Sequence, residues 1–114
     1  MKILFASPDR DLVSSFKLIL DERGHDTLAA YDGTQAISAC ENAADIAVID
    51  ERLPRTDMAT LYKILSSHET PTLTLTYSQS GGQNTLPYPF FPDEFMAACE
   101  KLYSENQTKR GEST

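Results

Sequence analysis

Apolar residues are distributed along the chain in two alternating ways, as short unbroken runs and as stripes at helical spacing. Ile3, Leu4 and Phe5 form a continuous run within Lys2–Ala6, suited to a strand buried on both faces. After the turn at Ser7-Pro8-Asp9, Leu12, Val13, Phe16, Ile19 and Leu20 recur at helical spacing, and Gly24 ends that helix. Residues 26–30 read as a weak second strand. Tyr31-Asp32-Gly33 reads as a turn into a second helix carrying Ala36, Ile37 and Cys40. Ile46–Ile49, ending in Asp50, is the strongest buried-strand signal. Asp57 is placed to cap a third helix with Leu61, Tyr62, Ile64 and Leu65 on its inner face. Thr70-Pro71 breaks that helix, and residues 72–76 and 85–88 read as a fourth and a fifth strand. Pro92 opens a last helix with Phe95, Met96, Cys99 and Leu102 as its buried stripe. Beyond Tyr103 the chain is polar and aperiodic, which predicts a frayed tail. Strands alternating with helices imply a parallel sheet covered on both faces, with its functional site in the loops at the carboxyl ends of the strands.

Composition narrows the function classes. With 114 residues, 40% of them hydrophobic, the chain fits one domain with a real core. Ten basic residues against seventeen acidic give a net charge of −7, which disfavours nucleic acid and anionic membrane surfaces as partners. The N-terminal apolar stretch runs into Asp9 and Arg10 and is too short for a signal peptide. Cys40 and Cys99 lie in helical patterns and are expected as buried thiols of a cytoplasmic protein. His25 and His68 have no nucleophile or metal-ligand spacing around them and are expected at the surface.

Four segments in register carry a resemblance. Residues 45–50, Asp-Ile-Ala-Val-Ile-Asp, are followed by Leu53-Pro54 and Asp57, and Ala30-Tyr31-Asp32-Gly33 opens the second helix. Thr70-Pro71 leads into a strand ending in Thr76, and Pro89-Phe90 runs into Pro92-Asp93-Glu94-Phe95. Over residues 2–103 the chain resembles the response-regulator receiver (CheY-like) family. The resemblance implies a flavodoxin-like three-layer sandwich with a five-stranded parallel sheet of order 2-1-3-4-5. Together with the polar stretch after Tyr103, this divides the chain into a receiver-like domain over 1–104 and an expected disordered polar tail over 105–114.

The family's activity, as the resemblance implies it, is transfer of a phosphoryl group from a histidine kinase to an aspartate. That chemistry needs a carboxylate nucleophile, a divalent cation, a hydroxyl and a fixed positive charge. Asp50 stands at the phosphoacceptor position and Thr76 at the hydroxyl position. The acidic pair that holds Mg²⁺ is replaced by Ser7 and Pro8, and Asp9, one residue late, belongs to the start of the first helix. The lysine before the cis-proline Pro89 is replaced by Tyr88, and the aromatic switch position by Thr85. Arg10 and Arg52 are the candidates to pair with Asp50, and Tyr77, where the family is usually small, is placed either to cover the pocket or to stand in the loop as an exposed aromatic.

Spacing adds an independent expectation. A parallel crossover needs roughly ten to twelve residues. Only eight separate Thr76 from Thr85, and they include Gly81-Gly82, so the fourth helix is expected to be missing or replaced by a loop. Thr72, Thr74 and Thr76 give the fourth strand a polar face, as loss of a covering helix would, and Pro87 suits an edge strand. The leading expectation is an atypical, or pseudo-, receiver: a binding module rather than an enzyme, with no cofactor or metal. It would act through a protein partner (a kinase, an output protein or itself as a homodimer) at the surface over 72–90. The alternative is a working phosphoacceptor on Asp50 with weak Mg²⁺ dependence. A flavin or small-ligand domain on the same fold would need a phosphate-cradling glycine loop, and Ser7-Pro8-Asp9 is not one. With no output segment in these residues, any effect is expected in trans, unless the domain is part of a longer protein.

Overall fold

The computed structural model describes residues 1–55, 57–77 and 84–112. Five strands, β1 (Lys2–Ala6), β2 (Asp26–Ala30), β3 (Ile46–Asp50), β4 (Thr72–Thr76) and β5 (Thr85–Pro87), form one parallel sheet in the order β2-β1-β3-β4-β5. The helices are α1 (Arg10–Glu22), α2 (Gly33–Ala39), α3 (Met58–Ser67) and α4 (Pro92–Glu112), with a short 3₁₀ turn at Cys40–Asn42.

Side-chain alternation along the strands sorts the core into two layers. Ile3, Phe5, Ile46, Val48, Leu73 and Leu75 point to the α1 and α4 side, where they meet Val13, Phe16, Leu20, Phe95 and Met96. Leu4, Ala6, Ala47 and Ile49 point the other way, onto Ala36, Leu61 and Leu65 of α2 and α3. The two central strands are apolar at nearly every position because both faces are covered.

Helix ends follow local chemistry. Asp9, Asp32 and Asp57 each cap a helix with a carboxylate oxygen, accepting from the backbone N–H of Leu12, Gln35 and Thr60. At the end of α1 the N–H groups of Gly24 and His25 donate to the carbonyls of Asp21 and Leu20, closing a Schellman motif with Gly24 at φ +83°.

Two expectations are corrected. The last helix runs to Glu112, so residues 105–112 are helical where polar composition predicted a disordered tail. Asn106 ties this part of the helix to the body by donating to the Glu69 carbonyl, and Thr108 bonds back to the Ser104 carbonyl. His25 is half-buried, with Nδ1 2.8 Å from the Met1 amino nitrogen, where a surface histidine was expected. The expected loop in place of the fourth helix falls almost wholly on 78–83, outside the described residues. β5 is the edge strand, and it ends at Pro87, one residue earlier than expected. The polar face of β4 lies on the α3 side, where the Tyr62 hydroxyl is 2.8 Å from Thr74 Oγ1.

Candidate functional site

Three loops at the carboxyl ends of β1, β3 and β4 converge on Asp50. The register places Ala6 beside Ile49 and Leu75 beside Asp50, so Ser7 and the residues after Leu75 flank the last residue of β3. Asp50 is completely buried. The chain then turns sharply. The Leu53 N–H donates to the Asp50 carbonyl, and the Arg52 N–H donates to Asp50 Oδ1 at 2.8 Å. That turn folds the Arg52 side chain back over its own neighbour.

The carboxylate is enclosed by donors on both oxygens. Oδ1 accepts from the Arg52 backbone N–H and from Arg52 Nε at 3.3 Å. Oδ2 accepts from the Ser7 hydroxyl at 2.7 Å, from Arg52 Nη2 at 3.1 Å and from the Tyr77 hydroxyl at 2.9 Å. A carboxylate offers about four lone-pair directions, and five donors use them all. Arg52 Nη2 also donates to the Tyr77 hydroxyl at 2.6 Å, and its guanidinium carbon stands 3.7 Å from the centroid of the Tyr77 ring. Arginine and tyrosine together form a lid on Asp50.

Charge follows geometry. Burial by itself pushes the Asp50 carboxyl up, but the hydrogen bonds from Arg52, Ser7 and Tyr77 outweigh it and hold the group below the usual carboxylate range. The hydrogen bond to Asp50 raises Arg52 in turn, and burial together with the neighbouring carboxylate raises the Tyr77 phenol. Asp50, Arg52 and Tyr77 are therefore an anion, a cation and a neutral phenol at physiological pH.

The remaining expected residues are placed as follows. Arg10 is not on Asp50; its guanidinium carbon lies 4.0 Å from the centroid of the Tyr31 ring. Pro8 is exposed and offers no donor or acceptor side chain, and Asp9 is engaged as the α1 cap. The Ser7 hydroxyl also accepts from the Asp9 N–H at 3.2 Å. Thr76 is buried, and its hydroxyl has no hydrogen-bond partner among the described residues. Tyr88 is exposed beside Tyr77, its bond to Pro89 is cis, and Thr85 is half-buried in β5. Glu51 escaped sequence reasoning: its Oε1 accepts from the Tyr77 N–H at 2.7 Å and so helps hold the lid. An acidic residue in an exposed turn carries no signal of that role.

No protein-family model matches the chain. The transcriptional regulatory protein CpxR of Klebsiella pneumoniae is 29% identical over 124 aligned residues, covering 99% of this chain and 53% of that protein. CpxR of Escherichia coli K12 is 31% identical over 112 residues, covering 89% of this chain and 48% of that protein. The chain thus spans about half the length of these curated relatives. The solved receiver domain of Francisella response regulator 1452 superposes with a TM-score of 0.80 at 31% identity, covering 91% of this chain and 97% of that one. The chain belongs to the response-regulator receiver family.

Receiver domains of two-component signalling bind a magnesium ion beside the acceptor aspartate, and the residues at that place in this chain decide whether they could hold one. Mg²⁺ takes hard oxygen ligands in near-ideal octahedral geometry and needs one or two free carboxylates. Here Ser7 and Pro8 contribute no carboxylate, Asp9 is turned to α1, and every lone pair of Asp50 meets a protein donor. Among the described residues no group of three or more His, Cys, Asp or Glu side chains is placed to hold a metal. The residues present do not fit the ion. Among the described residues, likewise, no helix is long and apolar enough to cross a membrane.

Proposed function

We propose that this receiver is a pseudo-receiver, a binding module that signals by protein contact independently of phosphorylation. The carrying observation is the closed Asp50 site. Nucleophilic attack needs an unshared pair on a carboxylate oxygen and space in front of it. Asp50 has its pairs bonded, and the side chains of Arg52 and Tyr77 stand on it. Arg52 already sets beside the carboxylate the positive charge that a bound metal ion would bring. The contact surface in this reading is 72–90, where β4, the edge strand β5 and the exposed Tyr88 lie together. The partner class is a kinase, an output protein or a second copy of the chain, met in the cytoplasm.

One observation favours the second reading, a phosphoacceptor on Asp50 served by a histidine kinase with weak Mg²⁺ dependence. The buried Thr76 hydroxyl stands at the family's hydroxyl position without a partner among the described residues. Unpaired buried hydroxyls are costly, and a phosphoryl oxygen would satisfy this one.

Incubation with acetyl phosphate and Mg²⁺, followed by intact-mass spectrometry, separates the readings. The pseudo-receiver gives no phosphoryl adduct. An adduct that disappears in Asp50→Asn would establish the second reading.

A further inference from the structure

The lid on Asp50 has a support of its own. Tyr77 leaves β4 and Tyr88 leaves β5 side by side, because Thr76 pairs with Pro87 and the Tyr88 N–H donates to the Thr76 carbonyl at 2.8 Å. Their ring centroids are 5.3 Å apart with planes inclined by 32°, within the range of favourable aromatic pairs. Tyr88 in turn meets Phe90 edge-on at 5.9 Å. Phe90 packs against Phe95 at 6.0 Å and Phe16 at 5.4 Å, and both of these reach Phe5 in the central strand β1. A column of rings therefore runs from the Asp50 carboxylate, through Tyr77, Tyr88 and Phe90, into the core.

Tyr88 is not itself a core residue, since 49% of it is exposed. Among the described residues its ring contacts are with Tyr77 and Phe90; it flanks Tyr77, whose hydroxyl bonds Asp50 and whose face carries the Arg52 guanidinium. We infer that Tyr88 is the positioning residue of the lid: anchored on Phe90, its ring holds Tyr77 where the hydroxyl reaches Asp50 and the ring face receives Arg52. Tyr88 stands at the family's lysine position. A single change of residue there removes a phosphate-facing cation and adds the support that keeps the pocket shut. The inference rests on the closed reading of Asp50 proposed above.

The Arg52 Nε–H group, bonded to Asp50 Oδ1, reports the lid directly. In ¹⁵N-labelled protein near neutral pH it is expected as a shifted side-chain signal protected from solvent exchange. Tyr88→Phe keeps the ring and keeps that protection. Tyr88→Ala and Tyr88→Lys remove the ring, and exchange of the Arg52 Nε–H becomes severalfold faster while the amide signals of β1 and β3 stay in place. Unchanged protection in both of those variants would overturn the inference, as would a loss in Tyr88→Phe equal to that in Tyr88→Ala. Should Tyr88→Ala disturb the amides throughout, Tyr88→Lys decides, because that residue is native to the position in the family. A wild-type protein with no protected Arg52 signal would instead overturn the closed reading itself, and this inference with it.

Discussion

At the residue scale, the arrangement is governed by one buried charge. A carboxylate with no exposed surface is tolerated only if it is paired and hydrogen-bonded. Arg52 does most of this, using its backbone N–H and two side-chain nitrogens on both oxygens. Because the Arg52 side chain is 47% exposed, solvent screens its end of the pair. Arg52→Ala is therefore expected to destabilise the fold by about 1–2 kcal/mol at neutral pH, below the range for a fully buried pair. The sign with pH follows from the depressed Asp50 value. The stabilisation is fully present above the unfolded aspartate value of about 4 and is lost as pH falls through the lower folded value. Urea unfolding of both proteins checks this: the gap should be widest near pH 7 and close in acid. A gap that grows toward acid pH would contradict the pairing.

At the element scale, the strands and helices were legible because each carries a signal that local physics reads the same way. The run Ile46–Ile49 has no polar position to face solvent, and it is the buried central strand. Asp32 followed by Gln35 marks the start of α2: the Asp32 carboxylate accepts from the Gln35 N–H, and the Gln35 side chain accepts from the Tyr31 N–H. Asp32→Ala should cost about 1 kcal/mol of stability in thermal or urea unfolding, with the Asp50 region of the NMR spectrum unchanged. A loss near zero would show that α2 is held by packing alone. The end of α4 was less legible. Residues 105–112 are polar all round, and periodicity cannot distinguish a solvated helix from a tail. The bond from Asn106 to the Glu69 carbonyl, between residues far apart in sequence, leaves no local trace.

At the scale of the whole molecule, the strand order that the resemblance implied is the order observed, and it brings Ser7, Asp50 and Tyr77 to one place. Which arginine would pair with Asp50 was not legible, since Arg10, at the start of α1, and Arg52, in the turn after β3, both lie close in sequence to the site. The turn after β3, closed by the Leu53 N–H on the Asp50 carbonyl, is what favours Arg52, while Arg10 finds the Tyr31 ring. The Tyr77–Tyr88 stack was also hidden. It depends on the register of β4 with β5, and neither residue shows it alone.

The proposed closure of the Asp50 pocket to metal and phosphoryl groups, within an intact receiver fold, is open to direct measurement. A two-dimensional NMR titration with Mg²⁺ and then beryllofluoride, an acyl-phosphate mimic, tests it most directly. The spectrum is expected to stay unchanged around Ser7, Asp50, Thr76 and Tyr77. Saturable shifts centred on those residues would contradict the closure, because they would require Arg52 and Tyr77 to leave the carboxylate.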